Sequence, residues 1–204
     1  MQSTSKGFTL IELLVSLSVL AIVVSIAAPS FKQQIKNNKS ITLVDEFVSA
    51  LNFARVEAVK RAHRVSLCPS ADGISCAGND DWSKGWIAFV DLADSDEDVP
   101  PKLDLVKHPI LRYWKMGTAG TQVTLPAAEK IFAEEKVKSG VELTVPAVTA
   151  INFIRFTSLG TLAQVSNNSS ITFFVNVDGC SGFNKGVVMV GVAGLISTAY
   201  VDCI

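Results

Sequence analysis

The sequence contains few residues that are suited to catalysis. Only two histidines, His63 and His108, occur in 204 residues, although histidine is the side chain that most often transfers protons in enzymes. No nucleophile elbow and no phosphate-binding loop is present. The sequence therefore predicts a protein that is not an enzyme, and it indicates no cofactor.

An excess of positive charge is also lacking. The formal net charge is −1, which gives no general attraction to nucleic acid. There is no internal repeat and no low-complexity linker. A chain of this length is sufficient for one membrane helix followed by one domain of ordinary size.

A long apolar run near the N-terminus dominates the sequence. Residues 8–28 carry no charge except Glu12, and Pro29 follows them. About 20 apolar residues are enough to span a bilayer as a helix. A secretory signal is disfavoured because the small residue Gly7 precedes the apolar core instead of following it. A plain anchor does not explain Glu12, because a carboxylate inside a membrane is costly and usually functional.

The residues around this run carry a resemblance. GFTLIE at positions 7–12, followed by an uncharged run and Pro29, resembles the class III leader of type IV prepilins and type II secretion pseudopilins. The resemblance implies that a prepilin peptidase cuts after Gly7 and N-methylates Phe8. It also implies that Glu12 neutralises the N-terminal amine of a neighbouring subunit during filament assembly.

Beyond Pro29 the pattern changes from helix to strand. Apolar residues recur at helical spacing from Ile41 to Ala58. Short runs of branched and aromatic residues then alternate with turn residues. We expect an α+β fold, with a long N-terminal helix packed on an antiparallel β-sheet or sandwich. The candidate strands are residues 65–68, 85–90, 110–113, 122–125, 141–145, 151–156, 170–176, 186–192 and 195–201.

A second resemblance covers much of the first ninety residues. The stretches 54–61 and 65–70, then Asp72-Gly73, Cys76, Asp81-Trp82 and Gly85-Trp86, are similar to the GspH/FimT family of minor pilins and pseudopilins. This resemblance implies a leader at residues 1–7, a transmembrane assembly helix at 8–29 and a periplasmic pilin-like domain at 30–204. The Cys-Pro-Ser stretch and the paired tryptophans look more like the pilus members than like the secretion members.

The four cysteines form two pairs that are close in sequence, Cys68 with Cys76 and Cys180 with Cys203. An even number suits an oxidising compartment. The first pair is close enough to close one loop, and the second pair would tie the last strand to the sheet. Zinc is the alternative, but neither pair has the short C-x₂₋₄-C spacing that such sites use. We predict two disulfides and no metal site.

Three other groups of residues admit both a structural and a functional interpretation. Trp82 and Trp86 are predicted to close the core between helix and sheet rather than to bind a ligand. Asp94, Asp96 and Asp98 match the start of a calcium loop, but later positions of that motif are absent, so an exposed acidic loop is expected.

A basic cluster near the end of the helix is the third group. The favourable position of cations at a helix C-terminus accounts for most of it. Its candidates for weak DNA binding are Arg55, Lys60 and Arg61.

The sequence predicts a minor pilin that is incorporated through its N-terminal helix and primes or caps a type IV pilus. One alternative is a minor pseudopilin of type II secretion. A second is a DNA-binding pilin, which is disfavoured because Gly194-Leu195-Ile196-Ser197 replaces a Gly-Arg-x-Arg pattern. The expected partners are minor and major pilins or pseudopilins, the prepilin peptidase/N-methyltransferase and the inner membrane, from which the protein enters the pilus or pseudopilus.

Overall fold

The computed structural model describes residues 7–79, 81–115, 121–124, 152–163 and 170–203, with only the backbone of 121–124. The chain divides into two compact units, residues 1–35 and 36–204. The described elements are α1 (Leu10–Arg61), β1 (Val65–Pro69), a 3₁₀ helix (Trp82–Lys84), β2 (Gly85–Val90), β3 (Arg112–Lys115), β4 (Thr121–Thr124), β5 (Ile154–Phe156), β6 (Ile171–Val177), β7 (Lys185–Val190) and β8 (Ile196–Val201).

The second unit contains two four-stranded sheets. One has the strand order β3-β2-β1-β5 and the other has the order β4-β6-β7-β8. Each neighbouring pair is antiparallel. The predicted α+β class, a long helix packed on antiparallel sheets, is confirmed.

The C-terminal half of α1 provides one wall of the core. Its buried apolar residues recur every three or four positions, with a neighbouring residue also buried at two of these points, which places them on one helix face. They are Leu43, Val44, Phe47, Ala50, Leu51, Ala54 and Ala58. Residues of both sheets share this core. The helix approaches β7 so closely that a Cβ at Gly186 would lie 3.0 Å from Cγ1 of Val44. Ile41 was predicted on this face but is 37% exposed.

Four aromatic side chains meet at the centre of the core. The rings of Trp82, Trp86 and Phe173 lie edge-on to the ring of Phe47, at centroid distances of 5.8, 5.1 and 4.9 Å. Trp82, Trp86, Phe47 and Phe173 have no exposed surface. The prediction that the two tryptophans close the core is confirmed.

Most predicted strands occur, but their ends differ. The prediction of 85–90 matches β2, whereas 110–113 is displaced by two residues from β3. The displacement follows from pairing, since β3 begins opposite Ala88 and ends opposite Gly85. Similarly, β5 has only the three residues that pair with β1. The predicted strand at 141–145 lies outside the described residues.

Candidate processing and assembly site

The chain enters α1 through an open segment. Gly7, Phe8 and Thr9 precede the first helical residue and are exposed. A Cβ added at Gly7 would meet no atom within 4 Å, and Phe8 is 80% exposed. Packing against the described residues therefore does not require glycine at position 7, and both residues of the Gly7–Phe8 bond are exposed.

Thr9 and Glu12 form a reciprocal cap at the start of the helix. The Thr9 backbone N–H and hydroxyl donate to Glu12 Oε2 at 3.2 and 3.1 Å, and the Glu12 N–H donates to Thr9 Oγ1 at 3.3 Å. This is a capping box, which satisfies N–H groups that have no partner within a helix. This cap was not among the sequence predictions, although the Thr-x-x-Glu spacing of Thr9 and Glu12 was a sufficient signal.

The apolar segment that follows leaves its hydrocarbon side chains uncovered. Every large apolar residue from Phe8 to Ile26 is more than half exposed. The serine hydroxyls of this stretch bond to the helix backbone instead: Ser16 donates to Glu12 O at 2.7 Å, Ser18 to Leu14 O at 2.6 Å and Ser25 to Ile22 O at 2.7 Å. Such bonds suit a helix in lipid, because no water is present there to accept a hydrogen bond from the serine hydroxyls.

Within the described residues, α1 is long and apolar enough to cross a membrane, and its apolar stretch is not buried in the chain. Glu12 is the only charged residue in this stretch. Its carboxylate has local partners in Thr9, yet a capping box does not neutralise its charge. An additional cationic partner is therefore still favourable in an apolar surrounding.

The two disulfides join the pairs that the sequence predicts, Cys68 with Cys76 and Cys180 with Cys203. Inside the first loop, the Asp72 carboxylate accepts bonds from the Ser75 hydroxyl at 2.7 Å and from the N–H groups of Ser75 and Ile74 at 2.9 and 2.8 Å. These bonds, led by the Ser75 hydroxyl, hold the pKa of Asp72 well below its usual range. The loop is thus organised by an ionised carboxylate as well as by the disulfide.

The basic cluster at the end of α1 is largely paired within the protein. Arg55 Nε donates to Gly160 O at 3.0 Å, so this side chain fixes a turn. Arg61 and Lys60 pair with Glu57 at 2.5 and 3.4 Å. The hydrogen bond from Arg61 is the main reason why the pKa of Glu57 is lowered. The three candidate DNA-contacting residues thus already have local partners.

The acidic loop is held by internal contacts. Asp98 accepts bonds from the Ser95 hydroxyl at 2.7 Å and from the Asp94 N–H at 2.7 Å, and the Ser95 hydroxyl is the main cause that lowers the pKa of Asp98 to about 2. Lys102 pairs with Asp94, and Arg64 pairs with Asp96. The three aspartates that partly match a calcium loop therefore bond to residues of their own loop and pair with Lys102 and Arg64.

A buried ion pair fastens this loop to the first sheet. Arg155 and Asp91 lie 2.8 Å apart with both side chains fully buried. Asp91 also accepts from Ser66 Oγ at 2.5 Å and from the Lys102 N–H at 2.9 Å, while Arg155 Nη1 donates to the backbone oxygens of Asp96 and Asp98 at 2.9 and 2.8 Å. The sequence analysis did not identify this pair, whose members are far apart in the chain.

These features define a class of protein. The part of α1 that lies in the second unit buries one face in the core of that unit, whereas the large apolar side chains from Phe8 to Ile26 are not covered by any residue that the structure describes. Lipid or the helices of other subunits can supply that cover. An open Gly-Phe bond before such a helix is typical of prepilin-type filament subunits.

Comparison with known families supports this class and specifies it. Residues 2–28 match the prokaryotic N-terminal methylation motif, and residues 43–193, more than half of the chain, match the type II transport protein GspH. The chain belongs to the GspH family.

Two crystal forms of the type IV minor pilin FimU from Pseudomonas aeruginosa show partial similarity. The first has 23% identity and a TM-score of 0.45, and the match covers 78% of this chain and 87% of FimU. For the second form the values are 23%, 0.43, 77% and 90%. Family membership rests on the sequence matches and not on these two likenesses.

Proposed function

We propose that this protein is a minor pilin that enters a type IV pilus through α1 and primes or caps pilus assembly, without catalysis. In this proposal residues 1–7 are the leader, residues 8–29 form the membrane and assembly helix, and residues 30–204 form a periplasmic domain. A prepilin peptidase removes the leader after Gly7 and methylates the amine of Phe8.

One observation carries the proposal: the match to the N-terminal methylation motif covers residues 2–28, and the large apolar side chains of the helix that begins within this stretch are exposed. A helix of this kind is stable in the inner membrane, and the same side chains can pack against the helices of other pilins in a filament. The membrane, the peptidase and other minor and major pilins are therefore the expected partners.

The processing step can be tested at Gly7. A Cβ at position 7 would meet no atom of the described residues within 4 Å, so Gly7→Arg should fold and insert but remain uncut, and Gly7→Ala, which keeps a small residue, should still be processed. Mass spectrometry of the full-length protein should find an N-methylated Phe8 terminus in the wild type and in Gly7→Ala only. An N-methylated Phe8 in Gly7→Arg would refute the proposed processing site.

The role of Glu12 in assembly can be separated from its role in the cap. Glutamine also completes a capping box but carries no charge. If Glu12 neutralises the amine of a neighbouring subunit, Glu12→Gln and Glu12→Val should both impair piliation, although only Glu12→Val breaks the cap. Normal piliation with Glu12→Gln would show that the cap alone accounts for this residue.

A type II secretion pseudopilin is the second candidate. The match of residues 43–193 to the type II transport protein GspH favours it. The pilus and the pseudopilus both assemble through this kind of N-terminal helix. The domain at residues 30–204 would therefore determine which of the two assemblies the protein joins. Deleting the gene and measuring surface piliation and protein secretion in the same strain distinguishes the two. Loss of pili with normal secretion supports the pilus, and the reverse result supports the pseudopilus.

DNA binding is a less favoured function. Arg55 contacts Gly160 O, and Lys60 and Arg61 share Glu57, so DNA phosphates would have to compete with these local partners for the three candidate cations. We expect little binding of duplex DNA by the full-length protein in detergent. Micromolar binding that weakens with salt and disappears in an Arg55→Ala, Lys60→Ala and Arg61→Ala variant would support a DNA receptor instead.

A further inference from the structure

The turn that joins β6 to β7 (residues 178–184, the β6–β7 turn) is held from two sides. On one side lies the part of α1 that begins the second unit at Lys36. On the other side lies Cys203, beyond the end of β8. The turn therefore connects the beginning of this unit to the C-terminal end of the chain.

Polar contacts join the turn to α1. The hydroxyl of Ser40, a fully buried residue, donates to Asn184 O at 2.6 Å. The Ser181 N–H donates to Asn37 Oδ1 at 3.0 Å. Lys36 also lies against the turn, because a Cβ added at Gly179 would be 2.6 Å from Lys36 Nζ. Three residues within the first five of this unit thus depend on the position of the turn.

The opposite side of the turn is held by the C-terminal segment. Cys180 is joined to Cys203 by a disulfide, and the Cys203 N–H donates to Gly182 O at 2.9 Å. Gly179 and Gly182 both have positive φ, at 72° and 62°. Because glycine loses more conformational freedom on folding than other residues do, ordering this turn carries an entropic cost that the cross-link to Cys203 reduces.

We propose that the Cys180–Cys203 disulfide is a clamp that presses the β6–β7 turn onto α1 and makes the second unit hold the helix from Lys36 onward. Without the clamp, the turn opens and its bonds to Asn37 and Ser40 are lost. The unit then holds α1 only from the apolar contacts near Val44, about two helical turns later. The inference does not depend on the proposed function, since its test measures local opening and not assembly.

The test is hydrogen–deuterium exchange of the full-length protein in detergent micelles, read by mass spectrometry. The double variant Cys180→Ser with Cys203→Ser should exchange at least about 10-fold faster than the wild type at residues 36–44, while residues 47–58 keep their protection. The matched control is Cys68→Ser with Cys76→Ser, which removes the other disulfide and should leave residues 36–44 unchanged. Unchanged exchange at 36–44 in the first variant, or an equal increase at 36–44 and 47–58, would overturn the proposal.

A second variant keeps both disulfides and removes the contacts. Asn37→Ala with Ser40→Ala should also speed exchange at residues 36–44, because the clamp acts on the helix through these two side chains. If this variant exchanged like the wild type, the turn would not be what holds the helix, and the clamp would be rejected. This variant gives an answer even if the cysteine variant does not fold.

Discussion

The two parts of α1 have similar apolar side chains in opposite environments. From Leu10 to Ile26 each large apolar residue is more than half exposed, whereas Phe47 and Leu51 have no exposed surface. The first part is apolar on all sides, and the second part is apolar on one face, with residues such as Glu46 and Asn52 outside the core. Within one helix, the first part exposes its apolar side chains, whereas the second part buries its apolar face in the protein core.

This difference shows where each part obtains its stability. A helix in water gains most of its stability from tertiary packing of one face, which the two sheets provide for the second part. In lipid, a helix is stable because its backbone hydrogen bonds are satisfied internally. Variants in the two parts should therefore differ in a measurement that reports only on the second unit.

The largest expected effect comes from matched truncations in the two parts. Phe47→Ala removes a ring that contacts three aromatic rings, and the resulting cavity should cost about 4 kcal/mol of unfolding free energy. Leu17→Ala should change it by less than about 0.5 kcal/mol. Tryptophan fluorescence during urea unfolding in detergent measures this, because all three tryptophans lie in the second unit. Equal effects of the two variants would contradict the distinction between the parts.

The next effect concerns charge in the second unit. Arg155→Met leaves the Asp91 carboxylate buried without its cation, which should cost about 3 kcal/mol. Adding Asp91→Asn removes the charge while keeping an acceptor for the loop N–H groups, so the double variant should recover part of the loss. Arg112→Met is the control, since this arginine is exposed and stacks on Phe53 and Trp114, so its loss should cost under about 1 kcal/mol. If Arg155→Met were as mild as Arg112→Met in the same unfolding measurement, the buried pair would not hold the loop.

The sequence predicts those features that depend on local pattern. The apolar run, the helical spacing around Phe47 and the position of β2 follow from local pattern, and the short separations within each cysteine pair favoured the pairing that the structure has. The Arg155–Asp91 pair cannot, because its members are separated by 64 positions and meet only when β5 pairs with β1. The ends of β3 and β5 also depend on long-range pairing, of β3 with β2 and of β5 with β1. The cap at Thr9 was a local pattern that the analysis did not use.

A smaller effect is expected at the start of the exposed part. Thr9→Ala removes the hydroxyl that completes the cap with Glu12, and loss of an N-cap costs about 1 kcal/mol. Amide exchange of residues 10–13 in micelles should rise several-fold. Thr42→Ala is the control, because the Thr42 hydroxyl bonds to Asn38 O within the helix and caps nothing. Equal exchange of residues 10–13 in wild type and Thr9→Ala would show that the cap does not stabilise the helix start.

The smallest effect is a pH dependence that arises in the second unit. The pKa of Asp98 is lowered to about 2 by the Ser95 hydroxyl and by backbone N–H groups. A carboxyl whose folded pKa lies below its unfolded pKa, which is about 4, binds fewer protons when folded. Its contribution to stability is thus present above about pH 4 and is lost as the pH falls toward 2.

Asp98→Asn should therefore be slightly less stable than the wild type at pH 7, and the two should converge as the pH approaches 2. Urea unfolding across this range, followed by tryptophan fluorescence, measures the difference. Glu97→Gln is a suitable control, because Glu97 is a neighbouring acid that accepts none of these bonds. Because Asp98 is close to solvent, added salt should reduce any contribution from Lys102 but not from the Ser95 hydroxyl. A constant difference between wild type and Asp98→Asn from pH 7 to 2 would show that the ionised carboxylate does not organise the acidic loop.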